Sequence, residues 1–342
     1  MISDLVMAKV ITQIIRIFIA GVISVFLLSA FILVYSNTGV HINNPSRATD
    51  YKWEPNQFKS TMAEGFSWIR FNEDGFNNSF ALSAVDGIDI LLMGSSHMEA
   101  ANVAWNENSG CLLNEHLPDM VTYNIGISGH DIYRCAENLE AAVNYYHPRK
   151  YVIIETDRVM LEPCRISEVI DGKLLPIPSH DSGLVYTVQK YIPCVLPIYR
   201  ELDNWKNAGK PTDSDLYDDV ETNHPDADYE ARLYQFMGMI SESAGDCKVI
   251  IVYHPVTVLD DNGELFQDND EYVRIFEESC NDNGIVFVNM YDDFLVEYVQ
   301  QKKLAHGFSN TAVGTGHLNE VGHALISNRL AACLEELEHG VE

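Results

Sequence analysis

The sequence predicts a three-layer α/β/α domain with a mainly parallel five-stranded sheet, preceded by one transmembrane helix. Three observations predict it. Short apolar runs recur at 88–93 (IDILLM), 121–125 (VTYNI), 151–155 (YVIIE), 248–253 (KVIIVY) and 285–290 (IVFVNM). Continuous apolar runs of this length are typical of strands buried on both faces of a parallel sheet. Helical periodicity separates them, at about 131–146, 229–243, 271–281 and 319–337, and strand-helix-strand spacing is the pattern of a sheet covered by helices. Finally, residues 17–35 contain neither a charge nor a proline.

That last stretch comes first in the chain. At ~1.5 Å per residue it matches the ~30 Å hydrocarbon core of a bilayer. It is longer than a usual signal-peptide core and no A-x-A cleavage site follows, so an uncleaved anchor is expected over 1–36. Lys9 and Arg16 precede the span, while Arg47 and Lys52 follow at a greater distance, favouring an inner N-terminus and a domain outside the cytoplasm at the cell membrane. Residues 37–66 are mostly polar and read as a tether, and 67–342 as the α/β domain. An insertion is expected at about 158–228, where prolines break the rhythm, and the acidic stretch at 212–230 has eight carboxylates and no Lys or Arg.

With 342 residues, 46% of them hydrophobic, the chain can bury a large core. Its net charge of −28 repels phosphate backbones, which excludes nucleic acid as an expected partner. The seven cysteines are scattered, with no C-x-x-C pair or finger spacing, and read as small apolar residues. The Asp260, Asp261, Asn262, Asp268 and Asp270 cluster misses the EF-hand register, so neither metal nor cofactor is expected.

The chemistry-bearing residues lie in turns after strands. The first run ends in Gly94-Ser95-Ser96-His97, and in open α/β sheets ligands bind beyond the carboxyl ends of the strands. A serine hydroxyl needs a base to take its proton and donors for the developing oxyanion. Gly129, in the turn NIGISG at 124–129, offers an unhindered amide, and His317, in the loop opening the last helix, offers an imidazole. His97, His254 and His323 read as structural or pocket-lining residues instead.

These segments, in this order, resemble the SGNH hydrolases, also called GDSL esterases and lipases. Gly94-Ser95-Ser96 stands where the family has G-D-S, 124–129 where it has N-x-G-x-x-G, and His317-Leu318-Asn319-x-x-Gly322 where it has H-L-N-x-x-G. The Arg70-x-Asn72-x-x-Gly75-Phe76 leader is similar to that of membrane-linked bacterial members. The resemblance implies Ser96 as nucleophile, His317 as general base, and the Ser96 and Gly129 amides as an oxyanion hole. Two family residues are missing. Gly314 replaces the aspartate before the histidine, leaving a dyad held by a backbone carbonyl, or Asp292 or Asp293 as orienting acid. Glu155-Thr156-Asp157-Arg158 replaces G-x-N-D, leaving Thr156 or Arg158 as the third oxyanion donor. The resemblance further implies a membrane-anchored esterase or O-acyltransferase acting on acyl, chiefly acetyl, esters of a cell-envelope glycan through an acyl-serine. Its partners would be the bilayer, the carbohydrate or acyl-ester substrate and, for transfer, a membrane acyl-transfer partner. The alternative is an inactive binding or assembly module that keeps the fold.

Overall fold

The computed structural model describes residues 2–35, 39–62, 64–175, 177, 183–192, 195, 227–256, 258–260, 262–266 and 270–340. Helix α1 (Ile2–Tyr35) contains an apolar stretch, Val6–Ile32, long enough to cross a membrane by length and composition.

The segment expected as a tether is folded. β1 (His41–Asn43) pairs antiparallel with β2 (Tyr51–Trp53), and β3 (Phe58–Thr61) with β4 (Ser67–Arg70). Tyr51 and Trp53 alternate inward and form a small core with Ile69, Phe71, Ala101 and Ile127, Trp53 stacking on Phe71 at 4.8 Å. Apolar residues at every second position make no continuous run, so the polar composition concealed two hairpins. The leader motif closes them. Asn72 Oδ1 accepts from the Asp74 and Phe76 amides, both at 3.0 Å, and Gly75 has φ +88, with a Cβ there falling 2.2 Å from the Trp53 carbonyl oxygen.

The α/β unit follows: β5 (Ile90–Met93), the short α2 (Ser96–Glu99), α3 (Ser109–His116), β6 (Thr122–Asn124), α4 (Ile132–Tyr146) and β7 (Tyr151–Thr156). Next come α5 (Pro163–Ile170), α6 (Gly183–Tyr191), α7 (Ala227–Ser243) and β8 (Lys248–Tyr253). After a small antiparallel pair, β9 (Val258–Leu259) with β10 (Leu265–Phe266), the chain ends with α8 (Asp270–Asp282), β11 (Val286–Asn289), α9 (Tyr291–Gln301) and α10 (Glu320–Glu338). Helices α5 and α6 lie in the expected insertion, whereas 196–226, with most of the acidic stretch, lies outside the described residues.

Five strands form one parallel sheet in the order β6-β5-β7-β8-β11. Alternate strand residues feed two cores. Leu91, Met93, Val152, Ile154, Val249 and Ile251 pack with α4, α5, α7 and α8, while Ile90, Leu92, Ile153, Ile250, Val252 and Val288 pack with α3, α9 and α10. The chain reverses direction across the sheet between β5 and β7, and the crevice beyond their carboxyl ends is where such sheets bind ligands. The six described cysteines are free.

Candidate active site

Ser96 follows β5 and opens α2, and Ser95 caps that turn by accepting the His97 amide at 3.2 Å. The turn is held from below by Glu155, near the end of β7. One Glu155 oxygen accepts the Ser95 amide at 2.8 Å and the Ser95 hydroxyl at 3.0 Å, and the other meets His254 Nε2 at 2.7 Å. Glu155 and His254 are both fully buried, and His254 Nδ1 continues to His306 Nε2 at 3.2 Å.

Asn319 caps α10 through the Val321 and Gly322 amides, and the loop before it carries His317. The structure brings Ser96 and His317 together, with Ser96 Oγ 2.8 Å from His317 Nε2. His317 Nδ1 donates to Glu64 Oε2, which also accepts the His317 amide at 3.0 Å. A carboxylate only accepts, so the Nδ1 proton faces Glu64 and Nε2 is left to accept from the serine. Both ring nitrogens are therefore engaged, in the arrangement by which an imidazole activates a hydroxyl.

Glu64 lies in the turn between β3 and β4, inside the supposed tether. It corrects the expected orienting acid. Asp292 and Asp293 open α9 instead, where Asp292 is exposed and Asp293 lies 3.9 Å from Arg329. Carboxylates in a helix's first turn favour its positive end, which accounts for their place there. The signal available in sequence was FKST and SWIR flanking a Glu-Gly turn, a hairpin pattern directly ahead of the leader.

The loop after β6 holds Gly129, with φ +80, in a turn locked to α2. Asn124 donates to the Met98 carbonyl at 2.7 Å and accepts the Gly126 amide at 2.8 Å. Buried Glu99 accepts the Ser128 amide at 2.7 Å and pairs with Lys59 of β3. Burial pushes the Glu99 carboxyl upward, but the Lys59 ammonium and the Ser128 amide outweigh it and hold the group below the ordinary range. From the other side the Tyr51 hydroxyl donates to the Ser128 carbonyl, and His130 Nε2 accepts the Asp50 amide at 3.0 Å. Thr156 is a second correction. Its hydroxyl accepts the Arg158 amide at 3.1 Å and donates to the Arg158 carbonyl at 3.0 Å, a closed local turn that occupies its only proton. Arg158 is half-buried, and its Nε lies 3.8 Å from Asp157.

His97 packs among other imidazoles, with ring centroids 4.7 Å from His254, 5.2 Å from His317 and 5.8 Å from His306. Its Nδ1 accepts the Leu318 amide at 3.1 Å, tying the serine turn to the histidine loop. Burial and then the neighbouring rings push His97 well below the ordinary histidine range, and for the same reasons His306 falls to about 2 and His323 to about 3. His323 is buried against the Ser109 hydroxyl at 2.8 Å. Among the described residues no cluster of His, Cys, Asp or Glu has the geometry to hold a metal ion.

No protein-family model matches the chain, and no curated protein matches it. Among solved structures it is similar to the acetyl xylan esterase AlAXEase, with 17% identity and a TM-score of 0.41 over 72% of this chain and 98% of that one. The psychrotrophic esterase EstA from Pseudoalteromonas sp. is similar at 15% identity and a TM-score of 0.36, covering 73% and 98%. So is a member of the lipolytic protein G-D-S-L family from Veillonella parvula, at 14% identity and a TM-score of 0.38, covering 72% and 97%.

Proposed function

We propose that the protein is a membrane-anchored serine ester hydrolase or O-acyltransferase that works through an acyl-Ser96 intermediate. The observation that carries this reading is the single line of hydrogen bonds from Ser96 Oγ through His317 to Glu64. His317 Nε2 takes the Ser96 proton as Oγ attacks the ester carbonyl. The Nδ1 proton stays on the ring, where Glu64 stabilises the imidazolium. The oxyanion is received by the Ser96 amide, a first-turn N–H without an intrahelical acceptor, together with the Gly129 amide. The imidazolium then returns its proton to the departing alkoxide, leaving acyl-Ser96. A second hydroxyl, of water for hydrolysis or of a sugar for transfer, is deprotonated by the same nitrogen and releases the acyl group.

Acyl, chiefly acetyl, esters of a cell-envelope glycan are the substrate class within this reading, with α1 as the anchor that keeps the domain at the outer face of the cell membrane. A membrane acyl-transfer partner is needed only for transfer. The inactive-module alternative, motivated by the two missing family residues, loses half of its support, because Glu64 stands where the acid missing from the final loop is needed.

An activated acetyl ester and a serine-reactive phosphonate test the reading. Wild type should turn over the ester and gain one phosphonyl mass, and Ser96→Ala should lose both, with a fall in rate of about 10⁴-fold or more. Equal rates for the two proteins overturn it.

A further inference from the structure

A hairpin packed on a soluble domain normally turns a polar face to water. The β3–β4 hairpin does not. Register places Phe58 opposite Arg70 and Trp68 opposite Ser60, which is itself buried, and both Phe58 and Trp68 are more than half exposed, at 55% and 52%. The turn between the strands adds exposed Met62 and Phe66. Four large apolar side chains on one small element exceed the scattered exposure ordinary for a surface.

The occupant of this face follows from its neighbour. Trp68 Nε1 donates to the Val34 carbonyl at the end of α1, and α1 packs against β3. Val34 lies two residues beyond Ile32, the end of the apolar stretch. At ~1.5 Å per residue, the indole N–H is anchored within about 3 Å of that end along the helix axis. In a bilayer this is the headgroup level, where tryptophan is favoured because its ring is apolar and its N–H polar. The net charge of −28 gives the domain as a whole no attraction to anionic lipid, so apart from Arg70 the contact here comes from apolar surface.

We infer that the outer face of the β3–β4 hairpin, with Phe58, Trp68, Met62 and Phe66, rests in the interfacial layer of the bilayer that α1 crosses. This rests on α1 being an anchor. Because Glu64 lies between Met62 and Phe66 and reaches His317, such seating puts the mouth of the Ser96 site at headgroup depth.

The full chain in phosphatidylcholine nanodiscs tests it, using lipid brominated near the headgroup end of its acyl chains to quench tryptophan emission. The chain has four tryptophans. The expected result is quenching that Trp68→Phe largely removes and that Trp53→Phe, at a buried position, leaves intact. Retention in the disc without quenching, or quenching indifferent to Trp68→Phe, overturns the inference and leaves the anchor standing. Extraction of the chain from membranes by alkaline carbonate overturns both. None of these readouts depends on catalysis, so they stand apart from the fate of the acyl-serine reading.

Discussion

Glu64 and His317 are hydrogen-bonded across 253 positions of sequence, and this one contact makes an N-terminal hairpin part of the candidate active site. The carboxylate reaches both the ring and the backbone amide of the histidine, fixing its orientation as well as its tautomer.

Replacing that acid by its amide tests the assignment. Glu64→Gln should lower kcat by about 10²-fold or more with little change in KM, since an amide that donates toward Nδ1 selects the wrong tautomer. Asp292→Asn and Asp293→Asn should leave both constants unchanged. A Glu64→Gln enzyme with wild-type kcat would return the site to a dyad.

Glu155 sits under the nucleophile turn with three donors around one buried carboxylate. Glu155→Gln puts an NH₂ group where an acceptor is needed. The expected cost is about 1–3 kcal/mol of stability, the penalty for a buried polar group left unsatisfied. Thermal denaturation reads the loss, and Ser96 phosphonylation by the probe should slow in parallel. A variant as stable as wild type would show that the turn holds itself.

Gly126 permits a close approach between α2 and the NIGISG turn. A Cβ at this position would lie 2.5 Å from Met98 Cβ and 2.7 Å from the Met98 carbonyl carbon. Gly126→Ala must push α2 and the NIGISG turn apart, at a cost of about 1–3 kcal/mol typical of overpacking. Because the Ser96 and Gly129 amides of the proposed oxyanion hole ride on these segments, kcat should fall more than KM changes, measured by steady-state kinetics beside a melting curve.

The histidine cluster dictates a pH response. His97, His306 and His323 have folded-state values pushed below the unfolded value of about 6.5. The unfolded chain therefore binds more protons below that pH. Their stabilising contribution is whole above about pH 6.5 and is lost as pH falls, by at most about 1.4 kcal/mol per pH unit for each ring. The melting temperature should drop steadily from pH 7 to pH 5, and His323→Phe should flatten the slope. A level profile over that range would contradict the burial of these rings in neutral form.

The sheet was legible because each strand's signal is local. KVIIVY is strand β8 as read, and Asp131 and Asn319, polar residues ahead of periodic stretches, are the caps of α4 and α10. Ser96 and His317 were legible as turn residues at the right ends of their elements, and the structure joins them. What escaped depends on partners distant in sequence. Tyr51 and Trp53 gain meaning only once Phe71 and Ile127 lie beside them, and Glu64 only once the last loop arrives. Glu155 registered as a departure from G-x-N-D, because nothing local reveals that β5 and β8 flank it and bring Ser95 and His254 to its two oxygens.

The Tyr51–Ser128 and Glu64–His317 contacts decide where a scalpel can be applied to this protein. A water-soluble fragment begun at residue 67, the boundary that composition suggests, would retain all five sheet strands and the serine-histidine pair yet discard the acid and the brace on the Gly129 loop. One begun at residue 39 would shed only the greasy helix and should outperform the shorter fragment in any ester assay by about the factor expected for Glu64→Gln or more.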